Sequence, residues 1–319
     1  MSVLLHQPRK ASLRALAKIN LDLRILKARP DGYHEIRTIF QTISLADIID
    51  VEFSAARGTT IQVDGDVDIP DNLIAKAATL VLDAMRVTAE VRFRLRKQIP
   101  MGAGLGGGSS DAAAVLLALP ALAGRRLALP RLMELAGELG SDVPFFLLGG
   151  AAVAMGRGTE LYPLPDSPPL TGLVVAPGVH VSTAAAYRAL TPRLTTESQQ
   201  NKIFSFQSQT WGELGGPGGH PGVNDFETVV FEQFPQLTRL KRRLVKLGAD
   251  PAMMTGSGSA LFGLFRTREQ VNRAAKSFAD ERVFPISLVS RARYRNLWWR
   301  ALRPHIEEKL WPPLSRSGR

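Results

Sequence analysis

Residues 100–111 read Pro-Met-Gly-Ala-Gly-Leu-Gly-Gly-Gly-Ser-Ser-Asp and run without a break into the apolar stretch Ala112 to Leu119. Five glycines within residues 102–108 leave the main chain bare, so several N–H groups can converge on one concavity beside a helix N-terminus. Free amides and the helix dipole attract anions there. The turn therefore predicts a strand, a phosphate-sized concavity and a helix in succession, and suggests a nucleotide phosphate site.

Its neighbours exclude the common versions of such a loop. A Walker A turn needs Gly-Lys-Ser/Thr, and here Gly108 is followed by Ser109. Gly102, Gly104 and Gly107 satisfy G-x-G-x-x-G, but the preceding Val91-Arg92-Phe93-Arg94-Leu95-Arg96 alternates apolar and charged residues. That alternation describes a strand with one wet face, not the buried parallel strand of a dinucleotide fold. No acidic residue stands about 20 positions on to hold a ribose. The H-R-D and D-F-G landmarks of protein kinases are missing. A plain flexible connection between strand and helix remains as the competing reading.

Residues 13–25 alternate with unusual regularity. Leu13, Ala15, Ala17, Ile19, Leu21, Leu23 and Ile25 fall on one side of a strand, and Arg14, Lys18, Asn20, Asp22 and Arg24 on the other. Taken alone, the second side reads as the solvated face of an antiparallel sheet.

Three segments together carry a resemblance: Ala17-Lys18-Ile19-Asn20-Leu21, Pro100 to Asp111, and Met254-Thr255-Gly256-Ser257-Gly258-Ser259. In that order they resemble the three motifs of the GHMP small-molecule kinases. Four further details are similar to the branch that phosphorylates 4-diphosphocytidyl-2-C-methyl-D-erythritol in non-mevalonate isoprenoid synthesis. These are Gly106 to Gly108, Asp31-Gly32-Tyr33-His34, Asp71-Asn72-Leu73-Ile74, and Gly140-Ser141-Asp142-Val143-Pro144-Phe145-Phe146. The resemblance spans roughly residues 13–290.

The resemblance implies an α+β, two-lobed fold. Residues 1–166 would form a ribosomal protein S5 domain 2-like, ATP-binding lobe, residues 167–290 a ferredoxin-like lobe, and residues 291–319 a basic extension. It implies Asp142 as general base and Lys18 as its electrostatic partner, since an alcohol needs a carboxylate to take its proton and a cation to favour the developing alkoxide. Read without the resemblance, Asp142 is a helix cap before Val143-Pro144. ATP phosphates would lie against Pro100, Met101, Gly102, Ala103, Gly104, Leu105, Gly106, Gly107 and Gly108. Ser109 or Ser110 would meet phosphate or Mg2+, although Ser109 could simply cap the following helix while Asp111 complements its dipole. Asn72 and Lys97 would stand near the adenosine; otherwise Asn72 starts a helix and Lys97 is a solvated charge. On the acceptor side, His34 would read the cytosine edge, Tyr33 and Tyr187 would wall the base, and Asn20 would hold the acceptor. Thr255, Gly256 and Ser257 would close the far side of the phosphate site. Mevalonate, homoserine or a sugar are alternative acceptors. A basic nucleic-acid-binding protein is the alternative from another class, and it leaves Lys18 and Asp142 unexplained.

Composition agrees with an enzyme of two lobes: 319 residues, 45% hydrophobic. The chain has no cysteine, which excludes disulfides and thiolate chemistry. No apolar stretch reaches spanning length and Met1 to Lys10 lacks a signal-peptide core, so a cytoplasmic protein is expected, with no membrane or nucleic-acid partner, as a monomer or weak homodimer. Of the net charge of +11, residues 291–319 supply six, from eight Arg and Lys against Glu307 and Glu308. The rest suits an enzyme with anionic substrates. Trp298, Trp299 and Trp311 make docking the preferred use of this tail over a membrane, partner or disordered segment. Strands are expected at 13–26, 37–53, 89–97, 172–176 and 283–290, with a hairpin at 151–164 and a strand pair around 252–265. Helices are expected at 72–86, 109–119, 129–139, around Tyr187, near 224–247 and at 268–279. Residues 194–223, polar and glycine-rich, are expected to form a mobile surface loop.

Overall fold

The computed structural model describes residues 7–67, 69–166, 168–194 and 222–313. Most of the expected 194–223 loop lies outside the described residues.

Two long strands organise the first lobe. β1 (Arg9–Ala28) and β2 (His34–Ala55) form an antiparallel ribbon joined by the turn Pro30-Asp31-Gly32. The far half of β2 also pairs with β4 (Ala89–Arg96), its near half with β5 (Ala151–Gly156), and β3 (Thr60–Gly65) and β6 (Glu160–Pro163) close the two edges. β3 escaped the sequence reading because it is a six-residue, mostly exposed edge strand with no strong apolar face.

Four helices cover this sheet: α1 (Leu73–Met85), α2 (Gly107–Ala123), α3 (Leu129–Leu139) and α4 (Val143–Leu148). Residues 110–122 of α2 are all buried, and from Ala112 to Leu122 they are apolar on every side for that reason. β4 shows the expected one wet face, with Ala89, Val91, Phe93 and Leu95 buried and the residues between them exposed.

The second lobe is a four-stranded antiparallel sheet ordered β10-β7-β9-β8, from β7 (Thr171–Ala176), β8 (Ala252–Met254), β9 (Leu261–Phe265) and β10 (Arg282–Ser287). With α5 (Thr183–Leu190), α6 (Phe226–Gln233), α7 (Pro235–Lys246) and α8 (Arg268–Lys276), this is the ferredoxin-like arrangement. A final helix, α9 (Arg291–Ala301), returns to the first lobe, where Tyr294 and Trp298 join its core.

Three apolar clusters hold the molecule together, and β1 enters each of them. Leu13, Ala15 and Leu16 belong to the first-lobe core, Ala17, Ile19 and Leu21 to a seam with Val174, Met253 and Phe262, and Leu23 and Ile25 to the second-lobe core. The polar side of β1 is therefore not a wet outer face: Lys18, Asn20, Asp22 and Arg24 are buried where the lobes meet.

Candidate active site

The phosphate-type turn leaves β4 and enters α2 as expected, and its glycines answer to close contacts. Gly104 sits at φ +78°, and a Cβ there would lie 2.1 Å from the Thr255 carbonyl oxygen. Only glycine lets the two glycine-containing loops touch at this point. Gly106, in the left-handed region, is the residue before α2, and no side chain caps the helix. The first-turn amides are thus left to an anion. Ser109 lies inside the first turn and caps nothing. Ser110 is buried and donates its hydroxyl to the Leu16 carbonyl at 2.7 Å, so of the two serines Ser109 keeps a hydroxyl without a partner among the described residues.

Lys97 is not the solvated charge that its strand setting suggested. Its ammonium is buried and bonds Asp47 and Asp111, each at 2.6 Å, beside the backbone of Gly107. Asp47 also accepts the amides of Gln98 and Ile99, at 2.6 and 2.8 Å. Two carboxylates share one ammonium in a buried place. Burial therefore pushes Asp111 up to about 7 against the pull of Lys97, with Asp47 adding to the rise. Burial alone would lower Lys97, but Asp111 and Asp47 outweigh it and hold the ammonium charged. Asp111 thus pins the start of α2 to β4 through Lys97.

Asn72 caps α1, its Oδ1 accepting the Ile74 amide at 2.9 Å. It also lines a cavity of about 330 Å³ with Val63, Asp64, Gly65, Val67, Ile69 and Leu95. Leu73, the next residue, reaches Gly108 of the glycine turn.

Lys18 and Asp142, 124 positions apart in sequence, meet with Nζ 3.4 Å from Oδ2. The Lys18 side chain is 4% exposed and that of Asp142 35%, so the ammonium is buried behind a carboxylate that still reaches solvent. Asp142 precedes α4 but its side chain makes no capping bond, which overturns the reading of this residue as a mere cap. The site's lysine is aimed by Asn20, whose Oδ1 accepts Lys18 Nζ at 2.8 Å and the Gly256 amide at 2.9 Å while its Nδ2 donates to Thr38 at 2.7 Å. Asn20 is therefore buried and bonded within the protein through its Oδ1 and one of its two Nδ2 hydrogens. Thr255 is likewise buried, bonding Asn20 and the Gly104 carbonyl at 3.1 Å each, and Ser257 pairs with Thr183 at 2.8 Å.

On the other side of Asp142, His34 stacks on Tyr187 with centroids 4.4 Å apart, and its Nε2 meets Thr191 Oγ1 at 2.8 Å. The expectation had Tyr187 and Tyr33 as two walls with His34 at the edge. Instead His34 itself covers the Tyr187 ring, while Tyr33 is exposed and carries the Arg157 guanidinium 3.7 Å above its ring. Aromatic faces are covered by flat or cationic neighbours here. Burial lowers the His34 pKa and keeps the ring neutral at pH 7. Burial first, and then the charge of Asp142, push the Tyr187 hydroxyl up to about 12, which places that tyrosine within the field of the carboxylate.

Sequence reasoning missed Thr38, Asp47 and Asn224. Asn224 donates to the Met254 and Gly256 carbonyls at 2.8 Å each and so shapes the third motif. Its partners lie 30 and 32 residues away, and nothing local marks it out.

Among the described residues no group of three or more His, Asp or Glu could hold a metal ion. A magnesium that travels with a nucleotide needs only one or two protein oxygens, and the Ser109 hydroxyl in the first turn of α2 fits that requirement.

Known proteins match this arrangement in sequence and in fold. A model of the GHMP kinases N terminal domain matches residues 72–150, and one of the GHMP kinases C terminal matches 205–282. The 4-diphosphocytidyl-2-C-methyl-D-erythritol kinase of Solibacter usitatus is 61% identical over 314 residues, 97% of this chain and 98% of its own length. The protein of the same name from Geobacter metallireducens is 40% identical over 274 residues, 84% of this chain and 94% of its own. A crystal structure of 4-(cytidine 5'-diphospho)-2C-methyl-D-erythritol kinase superposes with a TM-score of 0.71 at 38% identity, over 87% of this chain and 98% of that one. Homoserine kinase from Cytophaga hutchinsonii shares the fold, with a TM-score of 0.69 at 18% identity over 90% and 98%.

Proposed function

The chain belongs to the GHMP kinases, and on that premise we propose that it transfers the γ-phosphoryl group of ATP to the 2-hydroxyl of 4-diphosphocytidyl-2-C-methyl-D-erythritol. The observation that carries the mechanism is the Lys18–Asp142 pair, 3.4 Å apart, set between the free amides of α2 and the His34–Tyr187 stack.

Each residue's task follows from its setting. Asp142, the half-exposed member, takes the proton of the attacking hydroxyl as the new P–O bond forms and the bond to ADP breaks. Lys18 stays behind it as a buried ammonium, held by Asn20, and offsets the negative charge gathering on the acceptor oxygen. The bare amides of Gly107 and Gly108 and the dipole of α2 favour the phosphates, and the Asn72 cavity is the place for the base of ATP. Magnesium, when bound, neutralises phosphate charge, and Ser109 is the hydroxyl available to it. The cytosine ring belongs beside His34: Thr191 gives its hydroxyl hydrogen to the Tyr187 carbonyl and takes the Nε2 hydrogen of His34, which leaves Nδ1 as an acceptor for the base. Most of the acceleration then comes from alignment and charge, as phosphoryl transfer asks little covalent work of the protein.

The same reading carries a cytoplasmic enzyme, consistent with the absence of any membrane-length apolar helix among the described residues. The test is ADP release from purified protein with ATP, Mg2+ and a panel of alcohols. Turnover is expected with the cytidine diphosphate alcohol alone. Equal turnover of mevalonate or homoserine would remove the acceptor assignment, and salt-sensitive RNA binding without any ADP release would remove the kinase reading altogether.

A further inference from the structure

α4, the helix that starts at Asp142, is six residues long and wholly buried; the Gly149 amide takes its Phe145 carbonyl at 2.9 Å, and the carbonyls of Phe146 and Leu147 find their partners outside the helix. The segment beyond the second lobe supplies those partners. Tyr294 of α9 donates its hydroxyl to the Phe146 carbonyl, and Trp311 Nε1 donates to the Leu147 carbonyl at 2.9 Å. Gly149, which ends α4, lies flat against the Tyr294 ring: a Cβ there would stand 2.2 Å from Cδ1. Arg291 fastens the strand that follows, donating to Leu164 at 3.0 Å and Ala151 at 2.5 Å.

α4 in turn touches the phosphate turn and, through Phe40, backs on to Lys18. Asp142 stands at its start. The Phe146 ring rests on Gly106 of the phosphate turn, 2.9 Å from where a Cβ would be. Phe145 packs on Phe40 at 4.9 Å, and the Phe40 ring lies 5.0 Å beneath Lys18 Nζ. A shift of α4 along its axis would therefore move the base relative to both the ammonium and the phosphate turn.

We propose that residues 291–313 form a clamp that positions Asp142, by satisfying and fixing the C-terminal carbonyls of α4 through Tyr294 and Trp311. The segment lies past residue 282, where the match to the GHMP kinases C terminal model ends. The proposal rests on Asp142 being the general base. Clamp residues are positioning residues: they touch no substrate and act by holding a carboxylate to within a fraction of an ångström, where misplacement costs rate and not affinity.

The full-length Tyr294→Phe/Trp311→Phe double variant keeps both positions aromatic and removes the two hydrogen bonds. Its kcat is expected to fall about tenfold, with KM for ATP and for the acceptor changing less than about twofold. In the Asp142→Asn background the same pair of changes is expected to alter kcat by less than about twofold, because the group they aim is gone. An unchanged kcat in the first background, or the same tenfold loss in both, would overturn the clamp. Failure of the base assignment shows separately, as undiminished turnover by Asp142→Asn alone.

Discussion

A buried ammonium is costly unless it is paired, and Lys18 has two obligations: the carboxylate of Asp142 at 3.4 Å and the amide oxygen of Asn20 at 2.8 Å. Lys18→Met keeps the apolar stem over Phe40 and removes the charge, so kcat is expected to fall at least about 100-fold while KM for ATP stays near wild type, read by steady-state kinetics. Under the proposed function His34 serves binding and not the transfer, so His34→Ala is expected to raise acceptor KM about tenfold and leave ATP KM alone. The buried triad under the phosphate turn has a pH signature. Asp111 is raised from 3.8 to about 7 in the folded state, so between those values the native protein holds more protons than the unfolded chain, and this group's contribution to stability falls as pH rises. Asp111→Asn removes that slope, so melting temperatures of variant and wild type, compared at pH 5 and pH 8, should shift in the variant's favour at the higher pH. A difference independent of pH would contradict it. At this scale the sequence made Lys18 and Asp142 legible through motifs, while Asp47, Thr38 and Asn224 stayed hidden. Their roles are hydrogen bonds to partners such as Gln98, Asn20 and Gly256, and such pairings exist only once the chain is folded.

Among elements, the glycine turn and β1 do the most to place the site. Alternation and the run of glycines announced both, with boundaries close to those found, since strand and helix periods are local properties of the chain. What the alternation did not disclose was that both sides of β1 are covered. The second lobe closes over Asn20 through Thr255, 235 residues further on, and no local pattern distinguishes a polar face turned to water from one turned to another lobe. The turn itself is tested by Gly104→Ala. A methyl group 2.1 Å from the Thr255 oxygen, on a left-handed backbone, is expected to cost about 1–3 kcal/mol and to raise ATP KM about tenfold, seen as a lower melting temperature together with weaker nucleotide saturation. Wild-type values for both would mean that the contact between the two loops is slack.

On the scale of the whole molecule, the site exists because three distant stretches converge at one seam. The first lobe brings Lys18 and the phosphate turn, α4 brings Asp142, and the second lobe brings Tyr187 and the Thr255 loop. The apolar seam of Ile19, Val174, Met253 and Phe262 keeps the lobes in one relation, so the polar groups of β1 meet partners and not solvent. The docked tail then ties the back of α4 to the same body. Turnover by Asp142→Asn at saturating ATP and cytidine diphosphate alcohol tests this convergence most directly. The account predicts a kcat at least about 100-fold below wild type with acceptor binding retained, because the asparagine keeps the shape and loses the base. A kcat within about twofold of wild type would contradict it.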